Sequence, residues 1–490
     1  MVECMSVTTE PPTVHRDAAP DLEHGVPDPA ATVATVSETR PPRLFDSNNR
    51  SKVLGVVGVV VALAFEAIAV ATAMPVAARE LDGLRSYGLA FSIFLTTSLL
   101  GMVTAGEVSD RRGPVVPFVS ASVIFAAGLA IAGLAPAMWV LVLARGVQGF
   151  GAGLNIVALY VVVARAFPES LRPRVFSAMS SGWILPALLG PPIAGFLADH
   201  LSWRWVFLGV LPLIVVATAL ILPHLRGIDG ASVQSSGAAA ATRRRSRLFP
   251  ALGAAVGTGL LQYAGHLLTW LSLPLLLAAI ALLVPSVPRL LPPGALRFAR
   301  GLPTVVVLRG VFAGAFFGAE VFVPLLLVEQ RGLATTLAGA SLTGGALTWS
   351  LGSWYQGRPN RRFSRTQLVT VGLVLVAVGI AITATVLADA MPPFMAAIGW
   401  LVAGLGMGIG ITSLSVLVLE LSPTEEQGAN SAAMQVSDAL GSIVGIGTAG
   451  AIFAGLHDAG QDNSGVFLLI FALMTLVAVV GAAIAPRVRT

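Results

Sequence analysis

The sequence predicts an all-α integral membrane protein of fourteen spanning helices. They form two six-helix bundles in pseudo-two-fold parallel repeat, with an extra two-helix hairpin between them. Three observations carry this prediction. Apolar runs recur along the chain, and a helix of about 20 residues crosses the ~30 Å hydrocarbon core of a bilayer. Arginines collect in alternate loops between the runs. The third is an internal match at a constant offset of 255 residues.

Composition sets the class. Of 490 residues, 55% are hydrophobic and 11% charged, with mean hydropathy +0.83. In lipid, only helices and closed barrels satisfy their own backbone. These runs are continuous rather than alternating, which argues against a barrel. Fifty-two glycines suit the close helix contacts of membrane bundles. The net charge of +5 does not point to nucleic acid, because the arginines sit in short loops where they set orientation. Cys4 is the single cysteine, which excludes an intrachain disulfide and a cysteine-based metal site.

Residues 1–50 hold eight carboxylates and four arginines among many Pro, Ala and Thr residues, with no apolar run of signal-peptide length. Such a stretch cannot bury a core and is expected to be a disordered cytoplasmic tail. The first bundle, 51–223, contains runs at 53–77, 88–107, 115–135, 138–164, 175–198 and 205–223. Region 224–300 opens with a polar linker, 224–247, that carries Arg243, Arg244, Arg245 and Arg247. Two apolar segments follow, 248–264 and 267–285. As one helix they would measure roughly 57 Å, so a hairpin turning near Gly265 and His266 is expected. The second bundle, 301–486, contains runs at 303–328, 336–355, 367–388, 393–419, 431–454 and 465–485, before a cytoplasmic end at 487–490.

With the tail inside, the cytoplasmic loops hold Arg111 and Arg112, Arg165 to Arg174, the Arg243–Arg247 run, Arg289 to Arg300, Arg358 to Arg365, and Arg487 and Arg489. The opposite loops keep only Arg79, Arg85, Arg204 and Arg331. This bias fits an even number of spans with both termini inside. The repeat matches 145–195 with 400–450: Gly149, Gly151 and Gly153 pair with Gly404, Gly406 and Gly408, and Pro168 pairs with Pro423. Two repeated halves are how many transporters build a central site that opens to each side in turn.

Glu66, in "FEAIAVATAMP", is the only ionisable residue between Val53 and Ala78. Glu320 in "FFGAEVFVPLL" and Asp438 in "MQVSDALGS" are likewise set in apolar runs. Intramembrane acids mark ion or substrate paths by default, and burial favours the neutral form of a carboxylate. The alternative is a carboxylate paired with Arg145 or Arg309 for packing alone. Gln148, Asn155, Gln262, His266, Trp349 and Gln435 are further candidate contacts.

Three more stretches carry recognisable chemistry. "GEVSDRRGP" joins the second and third runs through Gly106, Asp110, Arg111, Arg112 and Gly113. Asp110 suits a helix cap or an arginine pair, and the alternative is a charged turn that fixes topology. "LVLARGVQGFGAG" contains Arg145, Gln148 and Gly149. An arginine at the centre of a span costs about 2.5–3.5 kcal/mol on insertion scales, unless it snorkels to the headgroups. "GPPIAG" places Gly190, Pro191 and Gly195 in the fifth run, where they bend and thin the helix or serve ordinary packing.

Together these stretches resemble the motifs of the major facilitator superfamily, and within it the fourteen-helix drug/proton antiporter branch. The similarity covers residues 53–486. "GEVSDRRGP" is similar to the family's G-x-x-x-D-R-x-G loop, with Pro114 and Val115 where two basic residues are usual. The others are similar to its L-x-x-x-R-x-x-Q-G-x-G helix, its exporter-associated G-P-x-x-G-G element and its D-x₈-P element, with Glu66 for the aspartate. The resemblance implies a cytoplasmic gate at Asp110, proton movement at Arg145, and a central cavity reached by Glu66, Glu320 and Asp438. It implies a proton-coupled exporter of amphipathic, cationic or neutral small molecules, working by alternating access. The cell would be bacterial and the location its inner (plasma) membrane, with both termini cytoplasmic. No cofactor is expected, since the proton gradient supplies the energy. The partners are the small-molecule substrate, protons and membrane lipids, with no nucleic acid and a functional monomer. Two alternatives stay open: a proton-independent facilitator or importer of a small metabolite, and a non-transporting scaffold or lipid-handling accessory. No HExxH, GxSxG or phosphate-loop pattern points to an enzyme.

Overall fold

The computed structural model describes residues 44–112, 115–225, 238–267, 270–356, 363–423, 426–458 and 461–489. The expected tail, 1–43, lies outside them, as does Gly113 of the "GEVSDRRGP" loop. The side chains of Asp110, Arg111 and Arg112, and the surroundings of Gly106, also lie outside the described residues. Fourteen helical units follow one another, with no strand among the described residues. Twelve of them are long and apolar enough to cross a membrane.

In the first half, span 1 is Ser47–Glu80, span 2 Tyr87–Arg112, span 3 Val115–Gly133 and span 4 Met138–Ala166. Span 5 runs over Arg172–His200 and is interrupted at Gly182 and Trp183; span 6 runs over Arg204–Leu225 and is interrupted at Gly209. The extra pair is span 7, Ala238–Leu267, and span 8, Ser272–Leu290. The second half has span 9 over Leu302–Arg331, interrupted at Val321, and span 10, Thr335–Gln356. Span 11 (Arg365–Ala384), span 12 (Met395–Glu420), span 13 (Gln427–Leu456) and span 14 (Ser464–Ile484) complete it. Span 10 is rich in Gly, Ser and Thr, and its small residues let it pack between spans 5 and 12.

The repeat is visible in three dimensions. Span 4 packs on span 2, and span 12 packs on span 10. In each half a glycine row on the fourth helix lies against the backbone of the second. Gly149 and Gly153 meet Phe94 and Ser98, while Gly404 and Gly408 meet Gly345 and Trp349.

The extra pair corrects one expectation. Helix begins at Ala238, inside the expected polar linker, and continues past Gly265 to Leu267. Ala and Arg are strong helix formers, so the Ala238–Arg247 stretch extends the span instead of linking it. Span 7 lies against span 2 and span 13, one helix from each half. Gln262 is the polar clip: it accepts from Thr96 Oγ1 at 3.3 Å and donates to the Ile443 carbonyl at 3.3 Å. Leu99, Ala255 and Ile443 form an apolar cluster beside it. Span 8 packs on span 7 and leaves Leu273, Leu277 and Val284 exposed, as a lipid-facing helix should.

The halves also meet directly at the end that holds Arg79. Arg79 Nε pairs with Glu329 Oε1 at 2.8 Å. Asp199, at the end of span 5, caps span 10 from the other half: Oδ1 accepts from the Thr335 N–H at 3.1 Å and Oδ2 from the Thr336 N–H at 2.8 Å. A helix start has four N–H groups without partners in its own helix, and here the partners come from across the seam. A cavity of about 450 Å³ lies there, lined by Val76, Arg79, Asp199 and Leu333 among others. None of Glu66, Glu320 and Asp438 lines it.

Candidate substrate and proton site

Glu66 of span 1 and Arg145 of span 4 form a buried ion pair, with side chains 0% and 2% exposed. The arginine therefore does not snorkel to the headgroups. Neutral groups hold it as well. Its Nη1 donates to Gln148 Oε1 at 2.7 Å and its Nε to the Ala90 carbonyl at 3.2 Å. The guanidinium lies 4.3 Å from the centroid of the Phe94 ring, an attraction that grows as water is excluded. Gly149 lets span 2 come this close, because a Cβ there would strike the Phe94 carbonyl and Thr97 Oγ1. Glu66 Oε2 has no hydrogen-bond partner, and neither has Gln148 Nε2. Unsatisfied buried polar atoms are costly, and these two lie beside the same arginine.

Glu320 lies in span 9 one residue before Val321, the position to which the repeat offset carries Glu66. It is partly buried and lies at the helix break. Pro324 explains the break, since it has no N–H to give the Glu320 carbonyl four residues earlier. At the repeat offset of 255, Arg145 corresponds to Trp400 and Phe94 to Trp349. Glu320 accordingly approaches the Trp400 indole, whose Nε1 closes no hydrogen bond of good geometry. Phe316 lies between the two tryptophans, tilted against Trp400 with centroids 4.9 Å apart and edge-on to Trp349 at 5.7 Å. Phe317 and Trp349 are partly exposed beside it. The second half thus has a carboxylate with an aromatic wall where the first has a carboxylate with an arginine.

Asp438 belongs elsewhere. It accepts from Arg309 Nε at 2.6 Å, and Arg309 Nη1 also reaches Ser415 Oγ at 3.4 Å. Among the described residues no hydrogen bond or ion pair joins Asp438 or Glu320 to Glu66. Glu66 with Arg145, Glu320 with Trp400, and Asp438 with Arg309 are thus three separate arrangements, two of them the arginine pairs that the sequence left open as the alternative. Of the other candidates, Asn155 is buried and accepts from Ser122 Oγ at 3.3 Å. Gln435 is exposed, and the His266 side chain lies outside the described residues.

The "GPPIAG" stretch divides in the same way. A Cβ on Gly195 would strike the Thr336 backbone of the other half, so this glycine permits the contact between halves. Gly190 has ordinary room, with Ala69 Cβ at 3.7 Å from such an atom. Pro191 lies inside the helix, near Gly339 of span 10. Sequence reasoning missed Phe94, Trp400, Tyr87 and Asp199. The repeat offset alone would have flagged Trp400.

Two repeated helical bundles that meet at a seam, each with a carboxylate set between its helices, are the architecture of a membrane transporter. Comparison with known proteins gives the family. The profile of the Major Facilitator Superfamily matches residues 54–446, and the chain belongs to that superfamily. It is 26% identical over 430 residues to the Multidrug transporter protein MdtP of Bacillus subtilis (strain 168), which covers 83% of this chain and 76% of that protein. It is 22% identical over 366 residues to the Multidrug efflux pump SdrM of Staphylococcus aureus (strain N315), covering 73% of this chain and 79% of that one. The Uncharacterized MFS-type transporter Rv1877 of Mycobacterium tuberculosis is 28% identical over 421 residues, and the match spans 59% of that longer protein. A crystal structure of a POT family transporter in complex with 5-aminolevulinic acid superposes with a TM-score of 0.66 at 14% identity. That match covers 90% of this chain and 97% of the other, and shows the fold alone.

Proposed function

We propose that this transporter is a proton-coupled exporter of amphipathic, cationic or neutral small molecules, working by alternating access in a bacterial inner membrane with both termini cytoplasmic. One observation carries the reading: of two carboxylates in related places, Glu66 has an arginine beside it and Glu320 has Trp400. Glu320 can take either a proton or an organic cation, and competition between the two at one carboxylate is the simplest form of antiport. The ring of Trp349 suits a cation, whose attraction to an aromatic face is worth about 0.5–2 kcal/mol. Glu66 suits the coupling proton. When it is neutralised, Arg145 keeps Gln148, the Ala90 carbonyl and Phe94 as partners, so its charge is not abandoned in the membrane. The names of MdtP and SdrM support multidrug export. The arginine bias of the loops supports the orientation and makes the Arg79 end the outer one.

The test uses purified protein in liposomes with an imposed pH gradient, against cationic, neutral and anionic compounds. Gradient-driven movement of cations, with an opposite proton flux, is expected. Glu66→Gln should lose uphill transport and keep exchange at equal pH. Glu320→Gln should lose cations before neutral compounds. Undiminished gradient-driven transport by the Glu66→Gln protein would overturn the proton role, and accumulation in the other direction would make the protein an importer.

A further inference from the structure

One turn of span 2 reaches toward both carboxylates, Glu66 and Glu320. On that turn the Ala90 carbonyl accepts from Arg145, the partner of Glu66. Three residues earlier, the Tyr87 hydroxyl donates to the Val321 carbonyl at 2.7 Å. Val321 directly follows Glu320 and lies at the break of span 9. A side chain of one half therefore holds the backbone beside the carboxylate of the other.

The setting of this bond is rigid. Tyr87 is fully buried. The Phe91, Phe322 and Phe453 rings surround it, with centroids 5.3, 5.5 and 6.5 Å away. Those rings come from spans 2, 9 and 13, so the hydroxyl has little freedom to seek another acceptor. The next residue, Gly88, touches Gly450 backbone to backbone. The break supplies the movable part. Pro324 deprives the Glu320 carbonyl of its helical donor, which makes this the place where span 9 bends most easily.

We propose that Tyr87 is a positioning residue that carries the state of Glu320 to the first half of the transporter. The inference deepens the proposed function and rests on Glu320 being a site that is loaded and unloaded. A change of charge at Glu320 shifts the backbone at the break. The Val321 carbonyl then either leaves Tyr87, stranding a buried hydroxyl, or draws span 2 with it. Span 2 also carries Ala90, so the second outcome moves a group that holds Arg145. Span 2 thus reports the loading of one carboxylate to the arginine that serves the other.

Tyr87→Phe isolates the bond, because it keeps the ring and removes only the hydroxyl. Opening at the Arg79 end is read without transport, as the rate at which an impermeant maleimide labels a cysteine placed at Leu333 in a Cys4→Ser background. Four proteins are compared in lipid nanodiscs: the parent, Tyr87→Phe, Glu320→Gln and the double variant. Coupling between sites is commonly about 5- to 150-fold. Glu320→Gln is therefore expected to change the labelling rate of the parent by about fivefold or more, and by less than about twofold in the Tyr87→Phe background. An equal change in both backgrounds, or no change in either, overturns the proposal. A second readout separates coupling from packing: Tyr87→Phe should leave the KM of exchange at equal pH unaltered and slow gradient-driven transport. A raised KM with unaltered coupling would assign Tyr87 to the substrate wall instead. Because labelling needs no substrate, a parent protein that exports nothing would sink the proposed function and still leave the labelling cycle to decide on Tyr87.

Discussion

Trp400 stands in the second half where Arg145 stands in the first. The two positions are related by the repeat, and each side chain faces the buried carboxylate of its own half. One half therefore sets its carboxylate against an arginine and the other against an aromatic wall. The distinction bears on folding as well as on transport.

Arg145→Leu should be poorly folded, because it leaves Glu66 buried without its cation. Breaking a buried pair from one side costs about 3–5 kcal/mol. The Glu66→Gln/Arg145→Leu double variant should recover most of that loss, since no charge remains. Glu66→Gln alone should be mild, as Arg145 keeps three other partners. Thermal unfolding in detergent ranks the four proteins, and an Arg145→Leu midpoint equal to the parent's would show that the pair does not hold the fold.

The two glycines of "GPPIAG" should behave differently. Gly195→Ala forces a Cβ against the Thr336 backbone and should open the Arg79 end, whereas Gly190→Ala has room and should be nearly silent. Overpacking of this kind costs about 1–3 kcal/mol. Labelling of a cysteine at Leu333 measures the opening, and equal rates for both variants would mean that Gly195 does not set the contact between halves.

Asp199→Ala removes the acceptor that span 10 borrows from span 5. A lost cap costs about 0.5–2 kcal/mol, here taken from the contact between the halves. A faster rate of maleimide labelling at the Arg79 end is expected, with unchanged thermal stability of each half. Replacement of Thr336 by Val should reproduce only part of the effect, because the two backbone N–H bonds to Asp199 survive. If Asp199→Ala labels at the parent rate, the cap is not part of the latch.

The spans were legible because a helix in lipid has to be apolar over its full length, and that leaves its mark on composition. Breaks were harder to read. Pro324 lies inside a span as Pro75 does, but in span 9 it interrupts the helix at Glu320, and in span 1 the helix runs on. The hairpin turn was misplaced because Gly265 looked like punctuation, while the Ala-rich start of span 7 had already lengthened the helix. At the site, the sequence showed which side chains are costly in a bilayer but not which of them meet. Glu66 and Arg145 are joined by the crossing of spans 1 and 4, and Asp438 is drawn to Arg309 by the packing of spans 9 and 13. Tyr87 and Asp199 were invisible for another reason. Each is a single polar residue near a helix end, and its partner is backbone on the far side of the seam.

Span 7 makes the molecule lopsided toward its solvent. On the flank of spans 2 and 13, acyl chains meet a covering helix that Gln262 fastens to both neighbours. On the flank of spans 5 and 10, the halves touch directly at Gly195 and Thr336, and among the described residues no further helix covers them. In the proposed alternating access the clipped flank would slide along its cover, and one of the two glutamine bonds would yield. Acyl chains therefore meet a covering helix on one flank of this transporter and the bare seam on the other, a one-sidedness that the near-symmetry of the two halves alone would not give it.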